Sequence, residues 1–230
     1  MNSNTQTGDG GVPQVVVILC SPSYTPLTER TGRWLDGVAV PEDALEHRLK
    51  GTRVSLREII GEQSEGQRRH ITVFCGHGIE DALLGPPLND ERDIDRAGER
   101  HSIIYSTEPF EPNPKALFAF CCNSATKLGP KFSSTADASF LGFGGELSFV
   151  STNDQYMNTL RAIVSRTAER IISDGDITPK HEKMLRRFYR QAYNYYLNGE
   201  GRKNQYWWMM TYFLNKQRLL IRYYRGAPSN

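Results

Sequence analysis

The stretch Ala116–Ala125, ALFAFCCNSA, is an apolar run that stops on two adjacent cysteines and then turns polar. Upstream, Ile71–Glu80 reads ITVFCGHGIE and breaks in the same way, at Gly76-His77-Gly78. Continuous apolar runs of this length, rich in β-branched and aromatic residues, are expected of strands covered on both faces of a parallel sheet. VVVILCSP (Val15–Pro22) is a third such run, ended by proline, and ASFLGFGGELSFV (Ala138–Val150) is a fourth, kinked by its glycines. HSIIYSTEPF (His101–Phe110) suits a lesser, edge-type strand.

The intervening segments are less regular. Pro41 and Gly51 bracket PEDALEHRLKG, which predicts a short helix. TRVSLREII (Thr52–Ile60) alternates like a strand, while its second half equally suits the start of a helix. Residues 81–101 form a polar excursion punctuated by Pro and Gly, expected to be loop plus a short element. From Asn158 the period changes. Leu160, Ile163, Val164, Ala168, Ile171 and Ile172 share one helical stripe. A second helix is expected over TPKHEKMLRRFYRQAYNYYL, with Thr178 as N-cap and Pro179 in the first turn, and a third over QYWWMMTYFLNKQRLLIRYYRG. Buried strands alternating with helices predict an α/β domain with a largely parallel sheet, whose functional residues gather at the carboxyl ends of strands. The Gly-His-Gly and Cys-Cys breaks both fall at such ends.

At 230 residues, with 23% charged and 38% hydrophobic residues, the chain suits one soluble domain. No apolar run reaches the length of a spanning helix, and MNSNTQTGDGGVPQ lacks a basic-then-apolar signal. Residues 1–13 are expected to be a flexible leader, and the protein cytoplasmic with no membrane association. Cys20, Cys75, Cys121 and Cys122 form no CxxC pair or Cys/His ladder, so free thiols and no metal are expected. His47, His70, His101 and His181 show no ligand spacing and read as surface or packing residues.

A thiol becomes a nucleophile when a base or a positive dipole favours the thiolate, and histidine is the usual partner. His77 and Cys122 lie 45 positions apart, so only the fold can bring them together. Two neighbouring parallel strands ending at one edge would do so.

These two strand ends resemble the shared signature of the caspase-like cysteine peptidases: caspases, metacaspases, separases, gingipains and the prokaryotic CHAT domains. In that signature one hydrophobic strand ends in His-Gly and a later one in a small residue and Cys, here ITVFCGHG and PKALFAFCCNSA. CNSA is similar to the CHAT pattern of Cys, an amide or acid, Ser or Thr, then a small residue. Metacaspases carry an Asp just before their nucleophile, where this chain has Phe120 and Cys121. The resemblance covers roughly Val15–Val150 and implies a three-layer caspase-like sandwich with a mostly parallel sheet. It implies His77 as general base or acid, Cys122 as nucleophile, and the N–H groups of Gly78 and Cys122 as oxyanion hole. It implies no metal or other cofactor. Alternation along a strand requires Cys121 and Cys122 to face opposite ways. Cys121 is expected in the core and Cys122 in the cleft; were Cys122 the buried one, the roles would swap.

Family members read the residue before the scissile bond with a charged pocket, acidic in the Arg- or Lys-directed members. Asp137, Glu146 and Asp154 follow the nucleophile on the strand and loop that help build this pocket. Glu146 is preferred because flanking glycines leave room for a long side chain; a solvated surface acid is the alternative for each.

Between Thr178 and Gly226 lie eleven Lys or Arg and two acids, Glu182 and Glu200, so this segment is about +9 in a chain of net +2. Its aromatics, from Phe188 to Tyr224, are interleaved with the basic residues. Three readings stay open: nucleic-acid binding by stacking and phosphate contacts, a helical pair packed on the sheet, and an interface for a partner protein. The expected organisation is a leader (1–13), a caspase-like peptidase domain (14–176) and a basic aromatic helical extension (177–226). The expected function is a cysteine endopeptidase acting on a protein substrate, with Arg or Lys before the cleaved bond as its expected preference. Regulation by a protein partner is expected, and the resemblance places stand-alone relatives in prokaryotic antiviral defence or cell death. The alternative is an idle module of this fold that binds nucleic acid or a partner through its C-terminal helices.

Overall fold

β1 (Val15–Cys20) and β3 (Arg69–Cys75) lie side by side and parallel in a six-stranded sheet. The computed structural model describes residues 15–22, 25–50, 69–85, 102–105, 116–134 and 138–226. β2 (Leu45–Leu49) flanks β1, while β7 (Ala116–Phe120), β8 (Ser139–Phe143) and β9 (Ile221–Arg225) continue beyond β3, giving the order β2-β1-β3-β7-β8-β9. Every pairing is parallel except β8 with β9. A smaller sheet joins β4 (His77–Gly78), β5 (Ala82–Leu84) and β6 (Ser102–Tyr105) in antiparallel order.

Alternate residues of the central strands feed two cores. Val17, Leu19, Val73, Phe118, Phe120 and Phe143 meet one core, with Trp34 and Leu35 beyond α1 (Pro26–Gly32) and the buried faces of three long helices. Those helices are α3 (Asp154–Asp174), α4 (Pro179–Asn198) and α5 (Trp207–Leu220). Val16, Ile18, Phe74, Leu117 and Ala119 meet the other core, with Leu83 and with Leu128 and Phe132 of α2 (Leu128–Ser133). The expected α/β domain with a mostly parallel sheet is thus present, with apolar packing on both faces.

The helix boundaries follow their caps. The Asn153 side chain accepts the Tyr156 N–H at the start of α3, and Gly175, at φ 70°, ends it in the left-handed conformation. Thr178 precedes Pro179 at the start of α4. Buried His181 returns the cap, its Nδ1 accepting the Thr178 N–H at 3.0 Å while Nε2 lies 3.0 Å from Asp174 Oδ2.

Two expectations are corrected. PEDALEHRLKG contains β2, not a helix: Leu45 and Leu49 turn to one core, and Arg48 reaches the Leu35 and Val38 carbonyls at 2.6 and 3.1 Å. Pro41 and Gly51 marked the limits of an element, but pairing with β1 decides its type. The third C-terminal helix stops at Leu220, and IRYYR becomes β9. There the period switches to two: Ile221 and Tyr223 pack on the core of the long helices, and Tyr224 on the opposite core against Phe140. The basic aromatic segment therefore supplies a strand of the sheet as well as two helices.

Packing accounts for many of the aromatics in that segment, including fully buried Tyr189 and Tyr196, whereas Tyr195, Tyr206, Trp208 and Tyr212 stay exposed. The leader, TRVSLREII, most of the 81–101 excursion and His101 lie outside the described residues. Among the described residues, no helix is long and apolar enough to cross a membrane.

Candidate functional site

β3 and β7 end together, Cys75 standing opposite Phe120 in the parallel register. Beyond that edge the Gly76 N–H donates to the Phe120 carbonyl at 3.4 Å, and His77 and Gly78 begin the small β4–β5 hairpin. Its turn is closed by the Ile79 N–H on the Ala82 carbonyl at 3.0 Å. Antiparallel pairs alternate between hydrogen-bonded and open, so Gly78, one pair before that bond, directs its N–H away from β5.

The bend after β7 lies directly against this hairpin. A β-carbon on Gly78 would fall 2.6 Å from Cys121 Sγ and 2.7 Å from the Cys122 carbonyl oxygen, so only glycine lets the two backbones approach this closely. A latch holds the loops together further on. The Lys127 and Leu128 N–H groups both donate to the Glu80 carbonyl at 2.9 Å, and Lys127 Nζ pairs with the Glu80 carboxylate at 2.8 Å.

The two cysteines part company at the strand end. Cys121 is 1% exposed in the core beside α2, while Cys122 is half-buried and packs toward the opposite core. Asn123 follows with φ 56°, a left-handed conformation that asparagine tolerates better than most residues, and its N–H donates to the Gly145 carbonyl at 2.9 Å. Buried Ser124 braces the turn: its Oγ lies 3.5 Å from the Ala119 and Cys121 carbonyl oxygens and accepts the Phe143 N–H at 3.3 Å.

Cys122 Sγ accepts the Leu147 N–H at 3.3 Å. Burial pushes the thiol above its ordinary range. The Leu147 N–H works against that shift, the Glu146 carboxylate adds to it, and the Lys216 ammonium opposes it. The resting group is thus a thiol, and attack on a carbonyl requires a base to remove its proton. The loop carrying Leu147 is in turn clamped by the last turn of α5. The Gly144 N–H donates to the Leu220 carbonyl at 2.8 Å, Gly145 packs on the Leu220 side chain, and buried Gln217 donates from Nε2 to the Ser148 carbonyl.

Of the acids read as pocket candidates, Glu146 is exposed beside Leu147, close enough for its charge to act on Cys122. Asp154 is engaged elsewhere, its side chain 84% exposed and paired with Arg30 Nη2 at 2.5 Å in the first turn of α3. Asp137 lies outside the described residues. Among the described residues no group of three or more His, Cys, Asp or Glu is arranged to hold a metal ion.

Asn123, the Glu80–Lys127 latch and the Gln217 clamp had no signal of their own in the sequence. The first is a backbone conformation, and the other two join distant segments largely through main-chain groups. No protein-family model and no curated protein matches this chain.

Proposed function

We propose that this chain is a cysteine endopeptidase of the caspase-like type, with Cys122 as nucleophile and His77 as its proton acceptor. The observation that supports this reading is the close fit of Gly78 on the Cys121–Cys122 bend, which brings the hairpin that carries His77 against the backbone of Cys122 at one edge of the sheet. The strand order, with the two chemical residues following adjacent parallel strands, supports extending the resemblance to the fold.

In the proposed reaction His77 takes the Cys122 proton as sulfur attacks the peptide carbonyl carbon. Negative charge gathers on the carbonyl oxygen, where the Gly78 and Cys122 N–H groups would receive it. Collapse breaks the C–N bond, and His77 returns the proton to the leaving amine. Water, deprotonated by His77, then cleaves the thioester and restores the thiol. Glu146, one residue from the N–H that holds Cys122, is the acid proposed to select Arg or Lys before the scissile bond, since a carboxylate–guanidinium contact is charge-assisted and directional. Regulation by a protein partner and a role in prokaryotic defence belong to the same proposal and rest on the resemblance.

The test is substoichiometric iodoacetamide labelling at neutral pH with peptide mapping, on wild type and His77→Ala, followed by fluorogenic peptides varied at the residue before the cleaved bond. Selective alkylation of Cys122 that weakens in the variant, with cleavage lost in both His77→Ala and Cys122→Ala, is the expected result. Undiminished cleavage in either variant overturns the dyad. Slow labelling of all four thiols alike, without turnover, favours an idle binding module.

A further inference from the structure

α4 and α5 enclose a groove of ≈ 580 Å³ that the thiol site does not use, lined by Lys183, Arg186, Arg187, Arg190, Arg218 and Leu219. Arg186 is committed inward, paired with Glu182 at 2.7 Å and donating to the Arg218 and Ile221 carbonyls. Lys183, Arg187 and Arg190 are exposed, and none has an ion-pair partner among the described residues. They stand at i, i+4 and i+7 on α4, so their cationic heads follow one line along the groove. Like charges spaced this way destabilise a helix unless something offsets them. A guanidinium group presents a planar fork of donors that matches phosphate oxygens.

A second observation narrows the ligand. Leu219, at the groove, belongs to an exposed stripe on α5 that also holds Trp208 and Tyr212, with exposures of 55%, 60% and 64% respectively. Helical rise sets Trp208 and Tyr212 about 6 Å apart along the axis and Leu219 about 10 Å further on. Flat aromatic faces beside a cationic track are the two components of single-strand recognition, in which bases stack and phosphates are neutralised. A duplex hides its base faces and leaves the rings without a partner. An acidic peptide would satisfy the cations but lacks the regular series of aromatic faces that stack on such rings.

We propose that the α4–α5 groove binds single-stranded nucleic acid, its phosphodiester backbone along Lys183, Arg187, Arg190 and Arg218 and its bases on Trp208 and Tyr212. Arg218 and Leu219 lie between Gln217 and Leu220, the residues that clamp the Leu147 loop, so an occupied groove bears on the turn that seats Cys122.

Fluorescence anisotropy of a labelled oligothymidylate on the full chain, titrated between 50 and 200 mM salt, tests this without any turnover (salt range and slopes of about −0.7 per contact). Four phosphate contacts predict a slope of log K against log salt of about −2.8, and the double substitution Arg187→Gln, Arg190→Gln should shallow it by about 1.4. Trp208→Ala should weaken binding by about tenfold or more and leave the slope unchanged. His77→Ala should bind as wild type does. Absence of binding at the lowest salt overturns the proposal, as does binding indifferent to the Arg187 and Arg190 substitutions. Equal affinity for polyglutamate, with Trp208→Ala silent, also overturns it and assigns the groove to an acidic protein partner. Arg187, Arg190 and Trp208 are exposed, and the wild-type salt slope stands without any variant.

Discussion

Gly78 and Cys122 are in backbone contact: a methyl group on the Gly78 α-carbon would lie 2.7 Å from the Cys122 carbonyl oxygen. Both obstructing groups, that oxygen and the Cys121 sulfur, belong to a buried bend braced by Ser124. Neither can swing aside as the end of a surface side chain would. Gly78→Ala should therefore cost ~1–3 kcal/mol, the usual penalty for overpacking. In a domain of this size the melting temperature should fall by roughly 2–12 °C. Alkylation of Cys122 should change in the same variant, because the hairpin must lift from the bend. A variant with wild-type melting and labelling would contradict the contact.

Alkaline pH should destabilise the fold. Burial pushes both Cys20 and Cys75 up to about 12. Between the ordinary thiol range and that value the unfolded chain has released protons that the folded chain retains, so stability falls as pH rises. The slope reaches at most ~1.4 kcal/mol per pH unit for each thiol. Urea midpoints should be level near neutrality and decline above about pH 9. Cys20→Ala should flatten that decline relative to its own neutral value.

At the acid end, the joint between α3 and α4 should respond first. Burial holds His181 below the ordinary histidine range, against the pull of Asp174. The folded chain then binds fewer protons there than the unfolded chain, so this contribution is lost as pH falls below about 6.5. His181→Gln should reduce the dependence of the melting temperature on pH between neutrality and about 5. An unchanged profile would show that His181 does not titrate in this way.

Gln217→Met keeps the shape of the side chain but removes the donor to Ser148. It should cost ~0.5–1.5 kcal/mol, the net worth of one hydrogen bond, because the Ser148 carbonyl keeps the Tyr156 hydroxyl as a donor at 3.3 Å. The larger effect should be local. Amide exchange at Leu147, whose N–H faces the Cys122 sulfur, should quicken more than exchange in β1 or β3. Uniform acceleration would mean that Gln217 acts on global stability alone.

The buried strands were legible because each is a continuous apolar run ended by Pro, Gly or Cys, and the long helices because a 3.6-residue stripe runs from Leu160 to Ile172 and Thr178 with Pro179 marks the next start; the cap at Asn153, which begins α3 ahead of that stripe, was not. β2 was not, since LEHRL is too short and polar for periodicity to outweigh the helix-like brackets around it. β9 was hidden by continuity: IRYYR follows WWMMTYFLNKQRLL without a Gly or Pro, and only pairing with β8 turns it into a strand. At the candidate site, the shared edge of His77 and Cys122 could be read from strand order. The N–H of Leu147 could not, since any residue supplies one, and what aims it is a loop held by Gln217 from 70 positions away.

That last dependence gives the protein a clock. The α5 residues that clamp the loop beside Cys122, Gln217 and Leu220, lie at the end of the helix, and β9 follows immediately. A ribosome adding 5–20 residues per second reaches them ~5–20 s after it has passed the cysteine. Through that interval the nascent thiol lacks its Leu147 seat, and the β8 edge lacks its neighbour. The clamp therefore defers assembly of the site until the helices and the final strand have emerged. A chain truncated before Gln217 should emerge with its cysteine present and its site unmade.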